Sequence, residues 1–408
     1  MDTSERLRII LQSGIRNVFT PNAPVNSAKL LMGRKDEVRK LLDYLTTPGQ
    51  HAILYGERGV GKSSLARVVS QHFYKRMADD NQVVWCANDD TFENILSGSL
   101  ISAGYDIDKE KHIETKKESG GVDASALVVK GKVTLERTKQ ITYGSLSGKL
   151  TPSKAAKALR KSDRILIVDE LDRIKPEEVS KLAETMKLLS DCRSPFKMLL
   201  VGIASNISEL IDGHKSVERC LMQTKLHPMS DSELKEIISK GEEICAISFS
   251  ELVVKQIVQL SAGYPHFAHL LALKSGELSI LDKTRKVNHL HLRQAIATAA
   301  DESDETLKIQ YQKFARPGKL DMKKMILISL AKLGGTEYTT KEIRDMLERL
   351  FSYECTSSAV SQNMRGLASN NSDTILMRIK NGIFRFNDPR MVNYIRIVNH
   401  EYFSDQYL

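Results

Sequence analysis

Residues Gly56-Glu57-Arg58-Gly59-Val60-Gly61-Lys62-Ser63 match the pattern G-x-x-x-x-G-K-[ST], and their flanks constrain the fold more than any other feature of the chain. Upstream, Ala52-Ile53-Leu54-Tyr55 is a short apolar run that reads as a buried strand. Downstream, Ser64-Leu65-Ala66-Arg67-Val68-Val69 opens an amphipathic helix. Strand, glycine loop and helix in that order are the context in which the pattern carries meaning. The glycines let the backbone curl until its N–H groups converge on a phosphate. The new helix adds its unpaired N–H groups and positive dipole end. The stretch from Gly56 to Ser64 is therefore assigned to a nucleotide, with Lys62 reaching the β- and γ-phosphates and Ser63 ligating Mg²⁺. From average residue usage, a random chain of this length would show the pattern about 0.02 times.

At 408 residues the chain has room for two or three domains, and 41% apolar residues suffice for real cores. No run of about 18 apolar residues is present, so no transmembrane helix is expected. Met1-Asp2-Thr3-Ser4-Glu5-Arg6 lacks the charged start and apolar core of a signal peptide. Cys86, Cys192, Cys220, Cys245 and Cys355 are scattered without a C-x-x-C pair. That argues for a reducing, cytoplasmic setting and against structural zinc. His289 and His291 would point to different faces of a helix and read as surface residues. The net charge of +9 permits nucleic-acid binding without establishing it.

The pattern along the chain alternates. A turn-rich stretch, Thr20-Pro21-Asn22-Ala23-Pro24, ends a leader of about 32 residues, and Gly33-Arg34-Lys35-Asp36-Glu37 leads into a helix stopped by Pro48-Gly49. Val83-Val84-Trp85-Cys86, Arg164-Ile165-Leu166-Ile167-Val168 and Lys197 to Ile203 read as further strands, with helices between them, including Phe92 to about Ser102 and one starting at Thr151-Pro152. Strands alternating with helices predict an α/β fold with a doubly wound parallel sheet. Residues 108–150 are lysine-rich and break the pattern. They read as an insertion with a hairpin, Ala126–Val129 and Val133–Leu135 around Lys130-Gly131-Lys132, or as a solvated appendage. After His227 the strands stop; Ser230-x-x-Glu233 is a capping box, and short helices run to about residue 303.

A phosphate loop needs an acidic strand end to complete a Mg²⁺ shell. Ile165-Leu166-Ile167-Val168-Asp169-Glu170 places Asp169 at the carboxyl end of a buried strand, the edge at which open α/β sheets bind ligands. Asp169 would hold Mg²⁺ through water, and Glu170 would polarise the water that attacks the γ-phosphate. Asp172 reads as a surface or helix-start carboxylate. Ser205 or Asn206, after the Lys197–Ile203 strand, would reach the γ-phosphate or cap the helix that follows.

With loop, acidic strand, polar strand end and helical lid in order, the chain resembles an AAA+ ATPase, nearest the origin-recognition/initiator branch and the STAND-type NTPases of prokaryotes. The resemblance covers about residues 15–300. It implies ATP and Mg²⁺ as ligands, Arg34 of the G-R-x-x-E element beside the adenine, Asp169 and Glu170 as the Walker B pair, and Ser205 or Asn206 as sensor 1. It also implies that Arg219, in Ser216-Val217-Glu218-Arg219, is an arginine finger reaching the nucleotide of a neighbouring subunit in a homo-oligomer; an ordinary surface arginine is the alternative. Gly263-Tyr264-Pro265-His266 departs from the initiators, which place an arginine where His266 stands. G-x-P is typical of STAND proteins, with Pro265 near the base and His266 as a phosphate contact, and it implies a nucleotide-gated switch with slow hydrolysis.

The last 90 residues form a distinct unit. Met322 to Leu333, Lys341 to Leu350 (capped by Thr340) and Ser357 to Ala368 read as helices. Thr374–Ile379 and Ile383–Phe386 read as strands joined by Lys380-Asn381-Gly382. Three helices and a hairpin are the winged-helix pattern. Gln362 and Arg365 of the third helix would face a major groove, and Arg378 and Lys380 of the wing would meet phosphates. From Lys319 onward, 13 Lys and Arg stand against 10 Asp and Glu, so the surplus is small. The expected division is 1–228 for the ATPase core, 229–316 for the lid and 317–408 for the winged helix. Two functions follow: a DNA-binding ATPase of the initiator or transposition-regulator kind, or a STAND-like sensor of a prokaryotic antiviral defence system whose winged helix binds a protein partner.

Overall fold

A computed structural model describes residues 2–25, 27–74, 82–106, 144–145, 148–203, 215–316, 318–368 and 374–403. They group into two compact units: residues 36–55 with 66–225, and residues 1–35 with 56–65 and 226–408. In chain order come α1 (Thr3–Ser13), α2 (Ile15–Val18), α3 (Lys35–Leu45), β1 (His51–Gly56), α4 (Lys62–Tyr74), β2 (Gln82–Trp85), α5 (Phe92–Ser102), β3 (Tyr105–Asp106) and β4 (Gly144–Ser145). Then follow α6 (Pro152–Leu159), β5 (Ile165–Asp169), α7 (Pro176–Asp191), β6 (Lys197–Gly202), β7 (Leu221–Leu226), α8 (Asp231–Cys245), β8 (Ser248–Phe249), α9 (Glu251–Ser261) and α10 (Pro265–Leu281). The remainder is β9 (Lys286–Val287), α11 (His289–Asp301), α12 (Glu305–Phe314), α13 (Met322–Leu333), β10 (Tyr338–Thr339), α14 (Thr340–Phe351), α15 (Ser357–Leu367), β11 (Leu376–Lys380), β12 (Ile383–Phe386) and α16 (Met391–Val398).

The first unit is built on a five-stranded sheet in the order β2-β5-β6-β1-β7, and the pairs β2–β5, β5–β6 and β1–β6 are parallel. Every residue of β5 and β6 is buried, as expected for strands covered on both faces. Leu166, Val168, Met198 and Leu200 meet Phe92, Ile95, Leu96 and Leu100 of α5, Leu159 of α6, and Leu182, Met186 and Leu189 of α7 in one apolar core. The α/β parallel sheet expected from the sequence is thus present, and α5 spans the residues expected of it. Strand β7 was not legible. Only its end residues are buried, with Gln223 and Lys225 exposed between them, a pattern that suits an edge strand and carries little apolar signal. The anticipated 108–150 insertion is bracketed by β3 and β4, which pair in parallel. Its hairpin lies outside the described residues.

In the second unit, α10 is buried almost all round, from Pro265 and Phe267 to Ser279, the signature of a central helix. The Ser230/Glu233 capping box forms as expected. Strands do not stop at His227: β8 and β9 pair in parallel, because Ser248 and Ser250 donate to Arg285 and Val287. His291 is not a surface residue. It is 4% exposed, its Nδ1 accepts from Asn288 N–H in a capping box, and its Nε2 meets Asp282 at 3.1 Å. Toward the C-terminus, α13, α14 and α15 accompany a three-stranded antiparallel sheet ordered β10-β12-β11. The cap of α14 is Thr339, whose side chain accepts from Glu342 N–H, rather than Thr340. Strand β10 and helix α16 were not anticipated. Two residues of strand are too short to show a period, and α16 follows Asp388-Pro389, a turn signal.

Burial gives the first unit a pH dependence. His51 is fully buried on β1, where its Nδ1 accepts from Met198 N–H at 3.1 Å. Burial, with Lys197 nearby, pulls its pKa down to about 3. The folded value lies below the unfolded one, so the contribution is complete above about pH 6.5 and is lost as pH falls toward 3, with a slope of about 1.4 kcal/mol per pH unit. Trp85, the only tryptophan, lies in the same sheet and reports on it. Its fluorescence should show a urea midpoint that falls between pH 7 and pH 5, and His51→Asn, which keeps an acceptor, should flatten that fall.

Candidate nucleotide-binding site

The phosphate loop leaves β1 at Gly56 and closes on α4, with Leu65 N–H bonded to the Gly61 carbonyl at 3.0 Å. Gly59 and Gly61 have φ of 84° and 97°, the left-handed region that glycine enters without strain. A Cβ at Gly56 would lie 2.3 Å from the Leu226 carbonyl oxygen, so this glycine answers a close approach of two backbones. Lys62 Nζ donates to the carbonyls of Gly56 and Glu57 at 3.0 and 2.8 Å, curling over the loop. Ser64 Oγ accepts from Val25 N–H at 3.0 Å.

The loop from Gly59 to Ser64 lines a cavity of about 320 Å³, within the range of small-molecule sites. Its other walls come from Thr20–Val25, Leu30–Met32, Arg34, Met229 and Ile237, from Pro265, His266 and His269 of α10, and from Arg390. Apolar walls beside a glycine loop fit a base and its phosphates. Arg34, 3% exposed, donates from Nη2 to the carbonyls of His227 (2.6 Å) and Val60 (3.3 Å). It lines the cavity and also anchors the loop. Pro265 begins α10, with its Cγ 3.7 Å from where a Gly61 Cβ would stand.

His266 Nδ1 lies 2.6 Å from the Pro21 carbonyl oxygen. A carbonyl only accepts, so Nδ1 carries the proton. Burial, and Arg390 nearby, lower the pKa of this ring. The neutral ring then presents Nε2 as an acceptor, which suits an N–H or hydroxyl of a ligand better than a phosphate oxygen. His269, on the same helix, is held down to about 4 by burial and by His266. The hydroxyl of Tyr264 donates to Glu57 of the loop; burial and then this bond push its pKa up.

The acidic residues belong to the sheet unit. Asp169 ends β5, is 5% exposed, and accepts from Glu170 N–H at 2.9 Å. Glu170 has a left-handed backbone, φ 58°, where the chain turns from β5 into the short 3-10 turn Leu171–Arg173. Its carboxylate pairs with Arg173 at 2.7 Å. The thiol of Cys86 is pushed up to about 12 by burial and by the carboxylates of Asp90, Asp169, Glu170 and Asp172, which marks this strand edge as acidic. Arg219 is exposed and pairs with Asp191 at 3.1 Å. Ser205 and Asn206 lie outside the described residues. Among the described residues, no group of three or more His, Cys, Asp or Glu could hold a metal ion, and no helix is long and apolar enough to cross a membrane.

On the C-terminal helix α15, Val360, Met364 and Leu367 are buried while Gln362 and Arg365 are exposed. Arg378 and Lys380 are exposed on β11, with Arg378 bonded to Asn381.

The family model for the AAA ATPase domain matches residues 30–201. The phosphate loop and most of the parallel sheet lie within the residues that match this model. No curated protein matches the sequence. Among solved structures, the chain is similar to a Walker-type ATPase of Pyrococcus abyssi, at 16% identity over 93% of this chain and 99% of that one, with a TM-score of 0.51. The Orc1 protein of Aeropyrum pernix in complex with DNA gives 17%, 95%, 97% and 0.48. The Orc2 protein of the same organism gives 16%, 95%, 98% and 0.49. At these identities the likeness concerns the fold alone.

Sequence reading missed several residues of the cavity wall. Thr20–Val25 read only as a turn-rich leader, and Met229, Ile237, His269 and Arg390 carried no motif. The prolines at 21 and 24 were the one local sign of a shaped loop. Tyr264→Phe keeps the ring and removes only the bond to Glu57. It should lower stability by about 1.5–3 kcal/mol, the range for a hydrogen bond to a charged group, seen as a lower thermal midpoint in calorimetry.

Proposed function

We propose that the protein is an ATP-binding and slowly hydrolysing AAA+ switch of the initiator-like kind, divided into a core (1–228), a lid (229–316) and a C-terminal winged helix (317–408). The observation that carries this reading is the glycine loop lining a cavity walled by Arg34, Pro265 and His266. Gly56 to Ser64 would bind the phosphates, with Lys62 neutralising charge. Ser63 and, through water, Asp169 would hold Mg²⁺, which when bound supplies charge neutralisation at the phosphates. Glu170 would take the proton of the attacking water, with Ser205 or Asn206 beside it. Arg219, exposed on a short 3-10 turn, would complete the site of a neighbouring subunit in a homo-oligomer. Lys62→Ala should abolish ATP binding in calorimetry, whereas Glu170→Gln should keep binding and slow phosphate release by about 100-fold, the scale of losing a general base. Turnover near wild type in Glu170→Gln would remove Glu170 from that role.

The exposed Gln362, Arg365, Arg378 and Lys380 support duplex DNA as the partner of the C-terminal part. Each lost phosphate contact should lower the slope of log affinity against log salt by about 0.9. Lys380→Ala should therefore weaken binding evenly across sequences, and Arg365→Ala should relax a sequence preference at a cost of about 1–3 kcal/mol. A second reading, a STAND-like sensor of a defence system whose winged helix binds protein, is favoured by the docking of α16 on α9. Absence of salt-dependent DNA binding by the full-length protein with ATP would put that reading first.

A further inference from the structure

The sheet-bearing unit holds a second cavity, of about 480 Å³, that the nucleotide reading does not use. It lies at the amino edge of the sheet. Arg164, part of its wall, immediately precedes β5, whose far end is Asp169. A strand rises about 3.3 Å per residue, so a ligand here is about 16 Å from that acidic end. The walls are the carboxyl ends of α5 and α6 and the turn that leads into β5. Leu96 and Leu100 of α5 share one apolar core with Ala155, Ala158 and Leu159 of α6, which fixes the two helix ends side by side. The turn is pinned by its backbone. Arg160 N–H donates to Ala156 and Ser162 N–H to Leu159, both at 2.9 Å. The Arg160 carbonyl accepts from Ser194 Oγ at 3.0 Å, and the Arg164 carbonyl from Lys197 N–H at 2.8 Å.

The side chains on this frame are left uncommitted. Lys157, Arg160 and Lys161 line the cavity and are exposed, and among the described residues none of them makes an ion pair or a side-chain hydrogen bond. The hydroxyls of Ser102, Tyr105 and Ser162 line it too and are likewise without a partner among those residues. The wall's one carboxylate, Asp163, acts instead on the buried ammonium of Lys197. A helix dipole favours cations at its carboxyl end, which accounts for Lys157 and Arg160 at the end of α6. It does not account for Lys161 beyond that end, or for three idle hydroxyls. Like charges held together without a counter-charge repel one another, and an anion in the cavity removes that repulsion.

We propose that this cavity binds a small anion carrying two or more phosphate groups. Phosphate oxygens accept from every donor present: the guanidinium fork of Arg160 matches them in pairs, the two ammonium groups act as point charges, and the hydroxyls donate. The volume falls in the range of small-molecule sites. A concave wall suits a compact polyphosphate better than the outward-facing backbone of a duplex.

The test is calorimetric titration of the full-length Lys62→Ala protein with tripolyphosphate, so that binding at the phosphate loop is suppressed. Tripolyphosphate should still bind. In that background Arg160→Ala should weaken it by about five-fold, the upper range for a single exposed charge pair. Lys157→Ala combined with Lys161→Ala should weaken it by about 25-fold if the two contributions add, and either variant serves alone if the other does not fold. Lys175→Ala, which removes an exposed lysine outside the cavity, should stay within about two-fold. With Lys62 intact, ATP affinity should be unchanged in Arg160→Ala, which locates the loss in the second cavity. Absence of tripolyphosphate binding, an equal loss in Lys175→Ala, or an equal loss for ATP would reduce the cluster to a diffuse positive surface and overturn the proposal. A single-stranded oligothymidylate whose affinity falls in these variants while that of tripolyphosphate does not would assign the cluster to nucleic acid and overturn it as well.

Discussion

A buried guanidinium holds together the cavity beside the phosphate loop. Arg34 joins the leader to the Val60 carbonyl of the phosphate loop and to the His227 carbonyl where the helical part begins. A charge taken out of water is costly unless hydrogen bonds and counter-charge compensate it; both carbonyls accept from Nη2, and Glu233 lies 4.0 Å from Nη1. Nearby bonds extend the arrangement: Gly33 N–H donates to Glu236, Met229 N–H to the Gly263 carbonyl, and Tyr264 to Glu57. A loop that must present N–H groups inward is thereby fixed by its carbonyls and its one acidic side chain.

The same unit carries a second constraint, at the end of α9. Arg396, partly buried, with its pKa lowered to about 10 by desolvation, remains a cation at physiological pH. It donates to Ala331 at 2.8 Å and to Gln259 at the C-terminal end of α9, where a positive charge is favoured by the helix dipole. The C-terminal segment is thus part of the structure that carries Pro265 and His266, and not a tethered appendage.

Much of the architecture was legible in local pattern. β1, β5 and β6 are uninterrupted apolar runs, which is what a strand buried on both faces requires. Ser230 and Glu233 announced α8 because a capping box needs only four adjacent residues. Elements whose stability comes from distant partners were not legible. β7 alternates weakly at a sheet edge, β8 and β9 are two residues each, and His291 looked like a surface residue until Asp282 and Asn288 enclosed it.

The sequence by itself determined the phosphate loop, the acidic strand end and the alternation that builds the parallel sheet, because each depends on residues adjacent in the chain or on a short period. Tertiary structure decided which distant residues share the cavity: Thr20–Val25, Ile237, His269 and Arg390 meet the loop only after folding. It also decided the character of His266, whose proton is directed to the Pro21 carbonyl and whose charge is suppressed by burial. Those properties depend on the surroundings of a side chain in space, and no spacing along the chain encodes them.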